Sequence, residues 1–319
     1  MIIPVKPKIR CLVTPFCKKG NMRLLIHGGA GDLHARQMSQ ARRDKYTSTL
    51  NHCLQAGAQQ LSEGKSALDV AAAAVAFLED SELFNAGRGG VLNEQGKCLA
   101  DASIMNGPDR SAGAVAATGI IKNPIYAALT VLQKSPHVLL VAEGAHEFAR
   151  QHGIELVDEE YFITDHRVEQ LNRSREKVSL DHDTMGTMGT VGAVALDQDG
   201  RLAAATSTGG MVNKAHGRVG DSALIGAGTF ADENIAVSCT GEGEFFIQVS
   251  AASLLAYEWQ HHKGLKVAAR RVLNEVKNAG GRGGLIAIDK SGNYCLPFTT
   301  RAMFRGYLNA DLQPVAAIT

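Results

Sequence analysis

The sequence predicts an α+β fold in which β-sheets are covered on their outer faces by paired helices. Three observations lead there. The elements run strand, two helices, strands, helices, a polar stretch, strands, two helices, strands; this is not regular β-α-β alternation and disfavours a doubly wound parallel sheet. The run from Val70 to Phe77 is apolar on every side, the mark of a helix held between layers rather than lying on a surface. The chain also has 34 glycines against only 5% aromatic residues, which calls for tight turns and close backbone approaches. With 45% hydrophobic residues over 319 positions it can bury one large core or two modest ones. No internal repeat of fixed period is evident.

The first strand is Arg23–Ile26, closed by the glycine loop His27-Gly28-Gly29-Ala30-Gly31. A helix from about Ala35 to Glu63 is stopped by Gly64. Ser66 is an N-cap for a second helix reaching about Leu78, with Asp69 in its first turn. Lys97–Met105 and Gly113–Ile120 read as strands, and Pro124 opens a helix to about Lys134. The apolar run Val138–Val141 leads into a helix near Gly144–Gln151. From Asp158 to Met188 the chain is polar and mixed, and reads as a surface linker tolerant of cleavage. Thr190–Asp197 and Arg201–Thr206 alternate small apolar residues around the turn Gln198-Asp199-Gly200, a hairpin. Leu224–Gly228 and Ile235–Cys239 read as strands, Glu244–Gln260 and Leu265–Asn278 as helices. The glycine cluster Gly280–Gly284 leads to strands Leu285–Asp289 and Tyr294–Pro297.

Composition excludes several classes. With 33 basic against 32 acidic residues there is no footprint for nucleic acid. No apolar run approaches the ~20 residues that span a bilayer. The six cysteines, Cys11, Cys17, Cys53, Cys98, Cys239 and Cys295, form no CxxC pair or zinc spacing and read as reduced thiols of a cytoplasmic protein. His261-His262 has no ligand partners nearby and reads as solvent-facing; Asp197-Gln198-Asp199-Gly200 lacks the acidic twelfth position of a calcium loop and reads as a turn. Residues 1–21 are basic and broken by Pro4, Pro7 and Pro15; they read as a disordered extension, with Met22 as an alternative start. His27–Gly31 lacks the lysine of a phosphate loop and reads as a tight backbone crossing near the Thr190 strand.

Four stretches carry chemistry. Thr190 opens a buried strand directly after a polar linker. A threonine hydroxyl needs a base, and a freed α-amine of the same residue, with a reference pKa of roughly 7.7–8.0, supplies one. That requires the Gly189–Thr190 bond to break; alone, Thr190 also reads as an ordinary β-branched strand opener. Thr206-Ser207-Thr208 closes the partner strand and reads as a hydroxyl cluster or an S/T-rich turn. Arg218 and Asp221, on a glycine-flanked loop, match a zwitterionic amino acid, or form a local ion pair. Thr240, with the backbone around Gly241, offers an oxyanion hole or a helix N-cap with Glu242 and Glu244.

Together these stretches resemble the plant-type asparaginase / isoaspartyl peptidase family of N-terminal-nucleophile hydrolases. The resemblance runs through GTVGAVALD, GRLAAATSTGGMVNK, GRVGDS and AVSCTGEGE, and earlier through LLIHGGAG, SALDVAAAAVAFLED, LFNAGRGGVL and SPHVLLVAEGA. It covers nearly everything except 1–21 and parts of 158–188. It implies a four-layer αββα sandwich of two stacked, mainly antiparallel sheets. It also implies self-cleavage between Gly189 and Thr190 into segments 22–189 and 190–319 that share one domain, and a dimer of such αβ units. By motif, Thr190 is the nucleophile, assisted by Thr208; Thr240 and Gly241 form the oxyanion hole. Arg218 binds the substrate carboxylate and Asp221 its ammonium. Gly243 lies close to the substrate, and Asn85 approaches the nucleophile. The substrates implied are asparagine and isoaspartyl dipeptides, with no catalytic cofactor. A structural sodium ion is implied on backbone carbonyls of Leu78, Glu79, Ser81, Phe84, Ala86 and Arg88.

The chain departs from the family pattern in doubling the motif, as Met185-Gly186-Thr187-Met188-Gly189-Thr190; Thr190 is preferred because Val-Gly-Ala-Val-Ala-Leu-Asp follows it. Residues Thr229 and Asp232–Asn234 lie in a variable loop. Two alternatives stand beside this reading: a glycosylasparaginase-like amidase, disfavoured by the lack of a secretory signal, and an unprocessed amino-acid-binding relative in which Thr190 is structural.

Overall fold

Small apolar residues at alternate positions let two sheets approach closely, and this chain builds two. The computed structural model describes residues 22–31, 38–177, 189–262 and 264–319. The N-terminal extension, Cys11 and Cys17, the first residues of the Ala35–Glu63 helix and the doubled Gly186-Thr187 motif lie outside these residues. The strands are β1 (Arg23–Gly31), β2 (Ala100–Asn106), β3 (Ala112–Thr118), β4 (Leu139–Val141), β5 (Val191–Leu196), β6 (Leu202–Thr208), β7 (Thr229–Ala231), β8 (Ile235–Gly241), β9 (Gly283–Asp289), β10 (Tyr294–Cys295), β11 (Ala302–Leu308) and β12 (Pro314–Ala317). The helices are α1 (Gln40–Ser62), α2 (Ala67–Glu79), α3 (Pro124–Lys134), α4 (Ala142–Gln151), α5 (Asp165–Lys177), α6 (Gly243–Gln248), α7 (Ala251–His261) and α8 (Leu265–Asn278).

The larger sheet has the order β12-β11-β1-β5-β6-β2-β3-β4, the smaller β10-β9-β8-β7. All pairs are antiparallel except β3 with β4. Helices α1, α2 and α3 pack on the outer face of the large sheet, α7 and α8 on that of the small one, and β1, β5 and β6 face β8 and β9. Four layers result, αββα. One core lies under α1–α3, with Leu24, Ile26, Ala193 and Ala203; a second joins the two sheets and α7–α8, with Leu25, Val194, Ala204 and Ile286. Strands β5 and β6, from after the predicted cleavage point, sit between β1 and β2 from before it, so both segments share one sheet.

Helix α2 shows why its sequence reads as sandwiched. Ser66 Oγ accepts from Asp69 N–H at 3.2 Å, starting the helix. Val70, Ala71, Ala74 and Val75 are buried, and the alanines allow close packing on β5 and β6. The hairpin turn is locked by Asp197, whose carboxylate accepts from the amides of Ala67, Asp199 and Arg201.

Several boundaries differ from expectation. β1 continues through the glycine loop, with an irregularity between His27 and Gly29. The stretch taken as linker contains α5, where buried Leu171 and Arg167 close a small core with Phe162; the scarcity of apolar residues hid it. The Leu224–Gly228 stretch is a turn, because Gly226 takes a positive φ of 92°. The Glu244–Gln260 helix is broken into α6 and α7 at Ser250, which has φ 51°. β11 and β12 were not anticipated, although β11, seven residues long, pairs with β1 one strand in from the sheet's edge.

Candidate active site

Strand pairing brings the hydroxyls together. β5 and β6 pair Val191 with Ser207 and Gly192 with Thr206, so the next residues outward, Thr190 and Thr208, end side by side. Thr190 Oγ1 donates to Thr208 Oγ1 at 3.2 Å, and Thr208 also accepts from Gly210 N–H at 3.0 Å. Both threonines are buried. Thr190 has φ 48°, a left-handed conformation that a β-branched residue adopts only under constraint. The strain sits on the residue that follows Gly189.

At the end of β8, Thr240 is oriented from two sides. Its Oγ1 accepts from Ala30 N–H at 3.1 Å and donates toward Gly189 O at 3.4 Å. The hydroxyl therefore faces the carbonyl that cleavage would attack. A Cβ on Gly29 would overlap that same carbonyl, which is why the glycine loop must be bare there. Gly241 has φ 151°, and a Cβ there would lie 2.5 Å from Arg282 O.

Thr190, Thr208, Gly189, Gly241, Gly243, Arg218 and Asp221 all line one cavity, with Ala30, Met211, Glu242, Arg282 and Thr300. Asp221 begins a short 3-10 turn, and Asp101 steadies the approach to it by accepting from Gly220 N–H at 3.0 Å. Asp221 is buried and its Oδ2 has no hydrogen-bond partner. Burial pushes its carboxyl up to about 7, against the pull of Arg218. Arg218 makes its ion pair with Glu244 at 2.8 Å rather than with Asp221, and that pairing holds the Glu244 carboxyl below its usual range against the effect of burial. A Cβ on Gly243 would lie 2.7 Å from Asp221 Oδ1 and 3.0 Å from Arg218 Nη2, so only glycine leaves this floor open.

Asn85 does not line the cavity. It is fully buried behind it, donating from Nδ2 to Gly210 O at 2.7 Å and accepting at Oδ1 from Val91 N–H at 2.8 Å. It approaches Thr190 through the Gly209-Gly210 turn; a Cβ on Gly189 would lie 3.5 Å from its Nδ2. In the following loop, a Cβ on Gly89 would overlap Phe84 O and lie 2.8 Å from Ser81 O, while one on Gly87 would overlap Glu79 O. Backbone carbonyls thus pack tightly against both glycines, two against Gly89 and one against Gly87. Among the described residues, no group of three His, Cys, Asp or Glu side chains is placed to hold a metal.

Residues that sequence reasoning did not place at the site are Glu244, Met211, Thr300 and the Glu242–Arg282 ion pair at 3.3 Å, together with His27 beneath Thr190. Glu244 was read as a first-turn acid; its position three residues beyond Gly241, facing a loop that holds an arginine, was the available signal.

The family model described as Asparaginase matches residues 20–318. The chain belongs to the asparaginase family. It is 46% identical over 310 residues to the isoaspartyl peptidase of Escherichia coli K12, covering 94% of this chain and 96% of that one. It is 41% identical over 286 residues to the human isoaspartyl peptidase/L-asparaginase, covering 89% and 92%. It is 39% identical over 322 residues to the probable isoaspartyl peptidase/L-asparaginase 2 of Arabidopsis thaliana, covering 92% and 97%. The four layers are the N-terminal-nucleophile hydrolase sandwich of this family, and the chain is a hydrolase. No helix among its described residues is long and apolar enough to cross a membrane.

Proposed function

We propose that the chain cleaves itself before Thr190 and then hydrolyses isoaspartyl dipeptides and L-asparagine, releasing L-aspartate. The observation that carries this reading is the setting of Thr190, with its hydroxyl on Thr208, the preceding carbonyl under the Thr240 hydroxyl, and Arg218 and Asp221 in the same cavity.

In self-cleavage, Thr190 Oγ1 attacks the Gly189 carbonyl carbon through a five-membered ring. The C–N bond breaks, and the nitrogen takes up the proton that the hydroxyl gave away. Water then hydrolyses the ester, leaving a Gly189 carboxylate and a free Thr190 amine. Thr240 donates to the oxyanion. The left-handed φ of Thr190, worth on the order of 1–3 kcal/mol of strain, is relieved as the bond opens.

In turnover the freed amine accepts the hydroxyl proton, with Thr208 orienting Oγ1. Oγ1 attacks the side-chain carbonyl of asparagine or the β-linked carbonyl of the dipeptide. Thr240 and Gly241 hold the oxyanion, and ammonia or an amino acid leaves with the amine's proton. Water then releases aspartate from the ester. Arg218 takes the substrate α-carboxylate and the unpartnered Asp221 oxygen its ammonium.

A sodium ion on the carbonyls of Leu78, Glu79, Ser81, Phe84, Ala86 and Arg88 belongs to the same reading; oxygen donors of this kind suit a hard cation, whose part would be to stiffen the loop carrying Asn85. So do a cytoplasmic location, supported by the buried free thiols of Cys53, Cys98, Cys239 and Cys295, and a dimer of αβ units, supported by the exposed apolar edge strand β4 at Leu139 and Val141. N-terminal sequencing of active enzyme tests the central claim. A second chain beginning Thr-Val-Gly-Ala is expected, and activity without it would overturn the assignment.

A further inference from the structure

The layer between the sheets is apolar at Leu25, Val194 and Ile286, but one part of it is wholly polar. His27 (β1), Ser238 (β8), Thr206 (β6), Thr229 (β7) and Ser103 (β2) come from five strands of both sheets, and each is fully buried. His27 Nδ1 lies 3.1 Å from Thr190 O, and its Nε2 lies 2.9 Å from Ser238 Oγ. Ser238 is 2.7 Å from Thr206, and Thr206 is 2.6 Å from Thr229. Ser103 Oγ lies 2.8 Å from Thr229 Oγ1 and 2.6 Å from Ser222 O. Ser222 follows Asp221 in the same turn.

The directions of these bonds follow from one acceptor. A carbonyl cannot donate, so Nδ1 of His27 carries the hydrogen and Nε2 must accept. Ser238 therefore donates to His27 and accepts from Thr206, which accepts from Thr229. Ser103 has one hydrogen for both Thr229 Oγ1 and Ser222 O, so it donates to one and meets the other as a close oxygen contact. Burial lowers the imidazole to about 3, so it is neutral and this order persists at any working pH. Thr190 O needs such a donor because the β1–β5 ladder ends at His27 and Gly192, where β1 departs through its irregularity. Gly192 leaves the space: a Cβ there would overlap both Ser238 Oγ and His27 Nε2. Hydroxyls in a dry layer are costly unless paired, and an apolar filling would pack the sheets as well. None of the five lines the cavity.

We infer that the buried row His27–Ser238–Thr206–Thr229–Ser103, joined by hydrogen bonds and one close oxygen contact at Ser103, is a positioning device that ties the Thr190 backbone to the Asp221 turn and so fixes the nucleophile relative to the substrate's ammonium site. This rests on the reading of Thr190 as nucleophile. The five residues act through others and touch no reacting atom.

The test uses Thr206→Val, which is nearly isosteric and breaks the middle of the chain, and His27→Asn, whose amide can still donate to Thr190 O but drops Ser238. Each is purified, brought to complete cleavage and compared with wild type and Thr206→Ser in kcat and KM per cleaved chain. Misplacement of a nucleophile by a fraction of an ångström to one ångström is expected to lower kcat about 10- to 100-fold. KM should change less than threefold, and Thr206→Ser should recover wild-type kcat. Wild-type kcat in fully cleaved, folded Thr206→Val or His27→Asn overturns the proposal, since a purely structural role would move only melting temperature. If Thr206→Val does not fold, His27→Asn decides by the same readings. Thr190→Ala is assayed alongside: activity there defeats the nucleophile reading itself, whereas a dead Thr190→Ala with unaffected chain variants defeats only the positioning role.

Discussion

The cavity is lined by two hydroxyls, Thr190 and Thr208, with Thr240 just behind Gly241, and by a charged pair, Arg218 and Asp221, with Glu244 behind Arg218. Beside the hydroxyls the nearest base is His27, which burial keeps neutral. The charged set is unevenly solvated: Asp221 buried and missing a partner, Glu244 half exposed and paired. The difference teaches where pH and proton transfer can act. On the proposed mechanism the hydroxyls gain their base only when the bond before Thr190 breaks, while Arg218 and Glu244 form an ion pair already in the uncut chain. Thr190→Ala is the most severe way to break this contrast. It removes both attacking oxygen and cleavage, so one intact chain on a denaturing gel and at least a 10⁴-fold loss of amidase rate are expected. A processed Thr190→Ala protein would show that the hydroxyls do not work as described.

Two variants probe the charged set. Arg218→Ala leaves a substrate carboxylate without its partner and should lower kcat/KM about 10²–10³-fold, mostly through KM; measured kinetics on asparagine decide it. Asp221 gives the pH signature. Its folded value is raised from 3.8 to about 7 by burial. Below about pH 7 the free protein holds a proton there that a bound ammonium must displace. KM should therefore fall up to about tenfold per unit as pH rises toward 7, then level off. The sign for stability is opposite: the folded state binds the proton more tightly than the unfolded chain, so stability declines as pH rises from about 4 to 7, and substrate restores it. Asp221→Asn should flatten the KM profile and leave the kcat profile, set by the Thr190 amine. A KM profile unchanged in Asp221→Asn would assign the titration elsewhere.

The two sets were not equally legible in the sequence. The hydroxyls were readable because strands impose a two-residue period and a hairpin fixes register, so Thr190 and Thr208 had to meet once the turn at Gln198–Gly200 was recognised. Arg218 and Asp221 were readable as a pair of types, but their partners were not: Glu244 arrives from α6, and the α6–α7 break at Ser250 that sets its angle leaves no mark in apolar periodicity. Asn85 was placed near the nucleophile, yet its burial behind the Gly209-Gly210 turn depends on packing between distant segments. The same holds for β11 and for α5, whose few apolar residues are anchored by a buried arginine donating to Gly89 O. Local pattern finds what neighbours in sequence build, and misses what is assembled across the sheet.

Glu244→Gln offers the smallest effect and the sharpest test of the charged set. Glu244 Oε1 accepts from both Nε and Nη2 of Arg218, so in the free protein it occupies one edge of the guanidinium that the substrate carboxylate must approach. The pair is half exposed on the Glu244 side, which limits its contribution to stability to under about 1 kcal/mol. Neutralising it keeps an oxygen that can still orient Arg218 while removing a negative charge beside the incoming carboxylate. The melting temperature should hardly move, and KM for asparagine should fall about two- to fivefold at low ionic strength, with the gain shrinking as salt screens the repulsion. A rise in KM instead would mean that Glu244 serves by holding Arg218 in place, and that its charge does not compete with the substrate.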